Sequence, residues 1–217
     1  MVLKVLLRLL LKEQNLKLLQ KQRKPNTPEP VKYLVAGLGN VGDEYHNTRH
    51  NIGFTILDAL AAASNIVFSD KRHGFVAEYR FKGRTFVLLK PSTYVNLSGK
   101  AVNFWLQKES ILPENLIVLL DDIALPFGTI RLRPRGGDGG HNGLTSIIES
   151  LGHQDFARLR FGIGGDFQYG TQVDYVLGKW SGDEAAQLPE KISQCHEIIR
   201  SFGTIGLDRT MNQFNIR

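Results

Sequence analysis

The sequence predicts an α/β fold: a single three-layer domain in which helices flank a mixed, mostly parallel central sheet. Three observations lead to this prediction. Short apolar runs that end in glycine or aspartate have the pattern of buried strands. Segments with apolar residues at helical spacing alternate with these runs. Two further strand-like runs are separated by only two residues, which predicts a β-hairpin and hence an antiparallel part of the sheet.

In the first half of the domain, strand and helix patterns alternate. Residues Lys32 to Ala36 predict a strand that ends at a glycine, and residues Ile52 to Ala63 repeat at helical spacing. The runs Phe75 to Phe81 and Arg84 to Lys90 flank Lys82-Gly83, which is typical of a hairpin turn. A second helix is expected to bury one face made of Leu97, Ala101, Phe104 and Trp105.

The second half continues the alternation. Leu116 to Leu120 predicts a fully buried strand, and Gly128 to Arg133 and Arg158 to Ile163 predict two more. A helix from about Leu144 to Leu151 separates the last two strands. Ser181 to Glu184 has the pattern of a capping box, which predicts the start of a C-terminal helical region.

Residues 1–31 are predicted to form a tail outside this domain, which then spans residues 32–217. The tail has seven basic and two acidic residues, so it holds +5 of the net charge of +6. Its leucines recur around cations four residues apart, the pattern of a basic amphipathic helix, and a Pro-rich linker follows. An interfacial or RNA-contacting helix, a transit-like leader, and a segment outside the functional protein all remain open.

The rest of the composition constrains function only weakly. Without the tail the chain is close to neutral, so net charge says little about a nucleic-acid partner. Cys195 is the single cysteine, so it cannot form an internal disulfide, which suits a reducing cytosol.

Polar residues follow several predicted strands where each strand ends. Because ligands of open α/β sheets collect at the carboxyl ends of the strands, we expect these side chains to share one cleft. A glycine-rich loop at residues 136–140 delivers two more polar side chains at the start of a helix. The residues concerned are Asn40, Tyr45, His50, Tyr94, Asn96, Asp121, His141 and Asn142.

This set predicts a hydrolase that uses water as its nucleophile. No Gly-x-Ser-x-Gly nucleophile motif occurs in the sequence, so activation of water by a histidine is the remaining simple route. We assign His50 as the base and Asp121 as the carboxylate that orients it. Amides offer both a donor and an acceptor, so Asn40, Asn96 and Asn142 can hold the peptide backbone, the water and the developing oxyanion.

Several blocks of sequence occur in order between Lys32 and the C-terminus: Gly37 to Gly42, Tyr45, Thr48 to Phe54, Lys90 to Gly99, Asp121, Leu125-Pro126 and Gly139 to Leu144. Together they resemble the bacterial-type peptidyl-tRNA hydrolase family. The resemblance implies an esterase that cuts the bond between a peptide and the 3′ end of its tRNA. It also implies a monomer that needs no metal or cofactor and acts in the cytoplasm, or in an organelle if the tail is a transit peptide.

The resemblance also implies roles for individual residues. His50 matches the family's base, Asp121 its supporting carboxylate, and Asn40 the residue that senses whether the amino acid's amine is blocked. The positions that match the substrate groove are Tyr45, Tyr94, Asn96 and Asn142. His141 can be either a second base or a structural donor. Two positions depart from the family pattern, with Val41 in place of proline and Val95 in place of methionine.

An arginine row is the expected contact for the tRNA phosphates. Arg131, Arg133 and Arg135 are two apart, and Arg158 and Arg160 repeat that spacing, so each set projects from one face of a strand. The resemblance implies that Arg133 lies near the clamp for the 5′ phosphate of the tRNA. Alternatively, the row protects an exposed edge strand by its charge.

Three other functions compete with hydrolysis. Gly37-x-Gly-x-x-Gly42 matches a dinucleotide fingerprint, but Asp43 and Glu44 stand where a pyrophosphate would bind. His46 and His50 have the spacing of a helical zinc pair, but no third ligand is evident, so no metal site is predicted. A catalytically silent RNA-binding splicing cofactor, as in plant organelles, has the same fold and remains the alternative function.

Overall fold

The computed structural model describes residues 31–168 and 170–215, so the predicted tail, apart from Val31, lies outside the described residues. The strands are β1 (Lys32–Gly37), β2 (Ser69–Lys71), β3 (Gly74–Phe81), β4 (Arg84–Pro91), β5 (Leu116–Asp122), β6 (Ile130–Arg133) and β7 (Ala157–Gly162). The α-helices are α1 (Ile52–Ala63), α2 (Ser98–Lys108), α3 (Asn142–Leu151), α4 (Gln172–Leu177), α5 (Gly182–Ile205) and α6 (Leu207–Phe214).

The strands form one mixed seven-stranded sheet in the order β2-β3-β4-β1-β5-β7-β6. Its central pairings, β4 with β1, β1 with β5, and β5 with β7, are parallel, and the pairings at both margins are antiparallel. Consequently β1, β2, β4, β5 and β7 point in the same direction, which confirms the predicted mixed α/β sheet. The carboxyl ends of β1, β4 and β5 therefore meet at one edge.

Helices cover both faces of the sheet, as predicted. One apolar cluster packs α1 and α5 against residues such as Val35, and a second packs α2 and α3 against residues such as Leu34. Successive residues of β1 thus enter opposite clusters. The strand reads as an unbroken apolar run because both of its faces are buried.

The hairpin and the capping box are both confirmed. Lys82 and Gly83 have positive φ angles of 46° and 73°, which suit a tight two-residue turn between β3 and β4. At the start of α5, the Ser181 hydroxyl accepts from the Glu184 N–H at 3.3 Å, and the Glu184 carboxylate accepts from the Ser181 N–H at 2.8 Å. None of the helices that the structure describes combines the length and apolar character needed to cross a membrane.

One predicted helix face was partly wrong. Leu97 belongs to a 3-10 turn, Val95–Leu97, that precedes α2, and its side chain is 53% exposed. The tighter turn breaks the helical spacing, so Leu97 does not share the buried face of Ala101 and Trp105. The strand expected from Gly128 begins only at Ile130.

Candidate active site

His50, Asp121 and His141 converge at the carboxyl edge of the sheet. His50 lies in a 3-10 turn, Arg49–Asn51, between β1 and α1, whereas Asp121 lies in β5 and His141 caps the N-terminus of α3. His50 Nδ1 is 2.8 Å from Asp121 Oδ1, and His141 Nε2 is 3.1 Å from the same oxygen. One carboxylate oxygen therefore joins two imidazoles.

The hydrogen bonds select the tautomer of each ring. His141 Nδ1 accepts from the Gly143 N–H at 3.1 Å, so a neutral His141 carries its proton on Nε2 and donates it to Asp121. An ionised Asp121 likewise requires a donor at His50 Nδ1. His50 Nε2 then carries a lone pair, and it has no hydrogen-bond partner within residues 31–168 and 170–215. His50 can therefore accept a proton, whereas both nitrogens of His141 are engaged.

Burial and hydrogen bonding act in opposite directions on these groups. Burial lowers the pKa of His50, but the hydrogen bond and the negative charge of Asp121 outweigh it and raise this pKa above its ordinary value. Burial raises the pKa of Asp121, but hydrogen bonds from His141 and His50 hold the pKa of this carboxyl well below its usual range. Asp121 is therefore ionised at neutral pH.

Asn40 lies beside these groups in a fixed orientation. Its backbone N–H donates to Asn51 Oδ1 at 2.8 Å, and Asn51 Nδ2 donates back to its carbonyl at 2.9 Å. The Asn40 Oδ1 atom accepts from the Val95 N–H at 2.9 Å. This leaves the Asn40 Nδ2 group without a partner in the described part of the chain, and Asn40 lines the same cleft as His50.

A close approach of α1 to the sheet places the His50 turn. A Cβ atom on Gly53 would lie 2.4 Å from the Leu38 nitrogen and 2.6 Å from the Leu119 oxygen, both of which are backbone atoms. Only glycine leaves room for this contact, which brings the start of α1 against β1 and β5. His50 and Asp121 thus meet because the helix packs without a side chain at this point.

The cleft in front of these residues has a volume of about 660 Å³. One wall has the polar groups His50, Asp121, Asn40, His141 and Asn142. Another has arginines, and α4 adds an apolar wall; the residues of these two walls are Arg133, Arg135, Arg158, Arg160, Val173, Val176 and Leu177.

The structure brings some of the predicted site residues into the cleft and leaves others at its margin. His50, Asp121, Asn40, His141, Asn142 and Arg133 line it. Tyr94 and Asn96 do not, although Val95 between them does; the Tyr94 side chain is 65% exposed. Tyr45 lies in the 3-10 turn Asp43–Tyr45, also outside the lining.

The arginine row needs a correction at Arg158. Arg131 faces Arg160 and Arg133 faces Arg158 across β6 and β7, so the cations do share one side of the sheet. Arg158, however, is only 3% exposed and donates to the carbonyls of Gly136 and Gly137 at 2.6 and 2.7 Å. Arg158 therefore holds the glycine-rich loop, and Arg160 is paired with Asp122.

Sequence reasoning missed several residues around the cleft. Asn51 belongs to one of the matching motifs, but its role is to fix Asn40. That role becomes visible only from the two hydrogen bonds between the Asn51 side chain and the Asn40 backbone. Asp122, which directly follows Asp121, was also overlooked. The apolar residues of α4 gave no signal because the helix has only six residues. For Asp122, the available signal was that two acidic residues stand side by side at the end of a predicted strand.

The three central groups also have the composition of a metal site. Ligand atoms of His50, Asp121 and His141 all lie within 4.8 Å of one another. In this arrangement, however, the facing atoms are already hydrogen-bonded to each other, so a metal ion would have to displace both hydrogen bonds. His46, the other half of the zinc-like spacing, is not part of this group.

Comparisons with known proteins agree on one family. A family model described as peptidyl-tRNA hydrolase matches residues 34–217. A peptidyl-tRNA hydrolase of Phocaeicola vulgatus is 57% identical over 85% of this chain and 99% of its own length, and one of Chlorobium luteolum is 42% identical over 84% and 97%. The crystal structure of peptidyl-tRNA hydrolase from Acinetobacter baumannii superposes with a TM-score of 0.80 at 33% identity, over 86% of this chain and 95% of that one.

Proposed function

Because the chain belongs to the peptidyl-tRNA hydrolase family, and hence is an enzyme that releases tRNA from peptidyl-tRNA, we propose that His50 is its general base. The observation that carries this proposal is the 2.8 Å contact between His50 Nδ1 and Asp121 Oδ1, which leaves His50 Nε2 as the basic atom in the cleft. Close relatives that bear the enzyme's name favour this function over an RNA-binding splicing cofactor.

The proposed reaction begins with a water molecule that donates a proton to His50 Nε2. The oxygen of this water forms a bond to the acyl carbon of the ester, and the carbonyl oxygen takes up the negative charge. Asp121 stabilises the resulting imidazolium through the hydrogen bond at Nδ1. When the tetrahedral intermediate collapses, the ribose oxygen leaves and takes the proton back from His50. The products are a peptide with a free carboxylate and a tRNA with a free 3′ hydroxyl.

His141 has a supporting role in this proposal. Both of its ring nitrogens are engaged, by Asp121 and by the Gly143 N–H, so it has no free lone pair for the water. Its hydrogen bond helps to keep Asp121 ionised while His50 becomes charged. We therefore favour the structural donor over the second base.

Two amides are proposed to recognise the acyl group. The Val95 N–H holds Asn40 Oδ1, so Asn40 can present only its NH₂ group to the substrate. A donor there matches the carbonyl oxygen of a peptide bond, and free aminoacyl-tRNA lacks that carbonyl. Asn142 begins α3, where the helix dipole favours a developing negative charge, so it is the candidate for the oxyanion.

Arg133 and Arg135 are proposed to bind the tRNA phosphates. Both are exposed in the cleft wall, whereas Arg158 is tied to backbone carbonyls. Phosphate contacts orient a nucleic acid without reading its sequence, which suits an enzyme that must accept many tRNAs. We propose that they contact the acceptor stem and its 5′ phosphate, and that Tyr45, Tyr94 and Asn96 contact substrate beyond the cleft.

The remaining expectations for the molecule are also proposals. We propose that the enzyme acts as a monomer in the cytoplasm, without a metal or cofactor. The catalytic domain is proposed to span residues 32–217, since the family match begins at residue 34.

Single-turnover hydrolysis of N-acetyl-aminoacyl-tRNA and of unblocked aminoacyl-tRNA tests this function. We expect rapid release of tRNA from the blocked substrate and at least ~10²-fold slower release from the free one, because the latter lacks the carbonyl for Asn40. Equal rates would contradict the proposed role of Asn40. No release from either substrate would contradict the enzyme function itself.

A further inference from the structure

Arg49, which directly precedes His50, contacts α4 and the segment that follows it. Its Nη1 atom donates to the Lys179 carbonyl at 2.8 Å and reaches the Tyr175 carbonyl at 3.5 Å. Its Nη2 atom donates to Glu184 Oε2 at 2.7 Å. The guanidinium also lies over the ring of Tyr175, 4.6 Å from its centroid. One side chain thus contacts α4, the start of α5 and the connection between them.

Backbone contacts join the same two segments. The Arg49 N–H donates to the Gly178 carbonyl at 3.0 Å, and Thr48 forms an isolated β-bridge with Lys179. Gly178 is close to the guanidinium, since a Cβ atom there would lie 3.1 Å from Arg49 Nη1. The turn that holds His50 is therefore fixed to the segment 175–184 through both the backbone and the side chain of Arg49.

Glu184 completes the arrangement. The same Oε2 atom that accepts from Arg49 also accepts from the Ser181 N–H at 2.8 Å in the capping box of α5. The Arg49 and Glu184 side chains are only 12% and 17% exposed, so this pair is shielded from solvent more than a surface ion pair is. Capping of α5 and placement of the His50 turn therefore depend on one carboxylate.

The segment held by Arg49 also forms part of the cleft. Val176 and Leu177 line the cleft. In the sequence they stand between Tyr175 and Lys179, the two residues whose carbonyls Arg49 contacts. Tyr175 is anchored at its other end, because its hydroxyl donates to the Ile163 carbonyl at 2.6 Å. The guanidinium thus connects the turn of the reacting imidazole to the apolar residues of α4 that line the cleft.

The Arg49 contacts are not fully satisfied. Arg49 Nε is buried and finds no hydrogen-bond partner in the part of the chain that the structure describes. A buried donor without a partner lowers stability, but removal of the guanidinium would leave the shielded Glu184 carboxylate without its ion-pair partner. The guanidinium is the group that can contact two carbonyls and a carboxylate at once.

We propose that Arg49 is a positioning residue for hydrolysis, which sets the His50 imidazole and the α4 wall of the cleft at a fixed separation through its contacts with Lys179, Tyr175 and Glu184. This inference rests on the proposed role of His50. A displacement of about 1 Å at a reacting group can cost roughly 10²-fold in rate, so loss of these contacts acts on the chemical step. The tRNA phosphates bind elsewhere in the cleft.

The test compares Arg49→Met and Arg49→Lys with the matched control Arg200→Met. Arg200 also stacks on aromatic rings and donates from Nε to the Tyr79 hydroxyl at 2.8 Å, but it does not line the cleft. Turnover and the Michaelis constant for N-acetyl-aminoacyl-tRNA are measured well below the melting temperature of each variant, which is recorded by circular dichroism.

Arg49→Met is expected to lower kcat at least ~10-fold with less than a ~3-fold change in KM, and Arg49→Lys to recover part of the loss because an ammonium can still reach one acceptor. Arg200→Met should keep the wild-type kcat even if its melting temperature falls as much. A wild-type kcat in both Arg49 variants, or equal losses in Arg49→Met and Arg200→Met, would overturn the proposal and leave the hydrolase function intact. If Arg49→Met does not fold, the Arg49→Lys result decides.

Discussion

At the scale of single residues, the site depends on one oxygen atom, Asp121 Oδ1. Hydrogen bonds from His50 and His141 converge on it at 2.8 and 3.1 Å. They keep the carboxylate ionised in a buried position, and the carboxylate in turn raises the pKa of His50. The raised pKa of His50 therefore depends on Asp121 of β5 and not on a residue of its own turn.

The substitution Asp121→Asn tests this coupling through the pH profile of kcat/KM. Only neutral His50 can accept a proton, so wild-type activity should fall as the pH drops through the raised pKa of this histidine. An amide has no negative charge, so the pKa of His50 should decrease and the acid limb should move to lower pH. The maximal rate should also fall at least ~10²-fold, because the imidazolium loses its partner.

A matched control for Asp121→Asn is Asp58→Asn. Asp58 lies on α1 and pairs with Lys90 of β4; its side chain is 48% exposed and does not line the cleft. This variant should keep the wild-type profile. An acid limb that stays in place in Asp121→Asn would mean that Asp121 does not control the ionisation of His50.

Sequence reasoning identified Asp121 because it directly follows the apolar run of β5. It identified His50 because this residue lies in the polar connection after the apolar run of β1. It could not decide the role of His141, since the two candidate roles differ only in where the ring nitrogens point. That depends on the path of the glycine-rich loop, which Arg158 fixes from β7. A contact between residues 22 positions apart leaves no local pattern in the sequence.

At the scale of elements, β6 and β7 present cations to the cleft, but only some of them are exposed. Arg133→Ala should raise KM for the tRNA substrate ~3- to 10-fold and reduce the slope of log affinity against log salt by about 0.7–0.9, the value for one lost phosphate contact. The measurement is KM from 50 to 200 mM salt. Arg80→Ala, whose side chain is 80% exposed on β3, is the control and should leave the slope unchanged. An unchanged slope in Arg133→Ala would remove Arg133 from the tRNA footprint.

The close contact of α1 with the sheet gives a prediction about stability. Gly53→Ala should lower the free energy of unfolding by about 2–3 kcal/mol, because the new Cβ atom meets backbone atoms that cannot rotate away. Urea denaturation measures this change. Gly182→Ala adds the same methyl group to the first turn of α5, where nothing lies within 4 Å, and should change stability by less than about 0.5 kcal/mol. Equal values would contradict the packing argument.

The elements differ in how well they can be predicted. Strands β1, β4 and β5 have apolar centres because helices cover both faces of the sheet, and α1 has strong helical spacing. Strand β2 is three exposed residues, Ser69–Lys71, and helix α4 has six residues, so neither is long enough to show a period. Tertiary contacts decide where these elements lie. Strand β2 pairs with β3, and helix α4 contacts Arg49.

At the scale of the whole molecule, the family relationship covers the domain and not the predicted tail. The Phocaeicola vulgatus relative aligns over 185 residues, which is 99% of its own length. A chain that begins at Val31 is therefore expected to hydrolyse N-acetyl-aminoacyl-tRNA within about 2-fold of the full-length rate at ~0.1 M salt, since the proposed phosphate contacts lie at the end of β6 and just after it. A KM that rises ~10-fold on truncation would instead assign the basic tail to tRNA binding.

Whether His50 is the base is decided by single-turnover hydrolysis of N-acetyl-aminoacyl-tRNA by wild-type enzyme and by His50→Ala, with tRNA affinity determined in parallel. The rate of the variant is expected to fall at least ~10²-fold while its affinity for tRNA changes less than ~3-fold, because the substitution removes proton transfer but no phosphate contact. A variant that hydrolyses the ester at the wild-type rate, or one that loses affinity and rate equally, would contradict the assignment of His50 as the base.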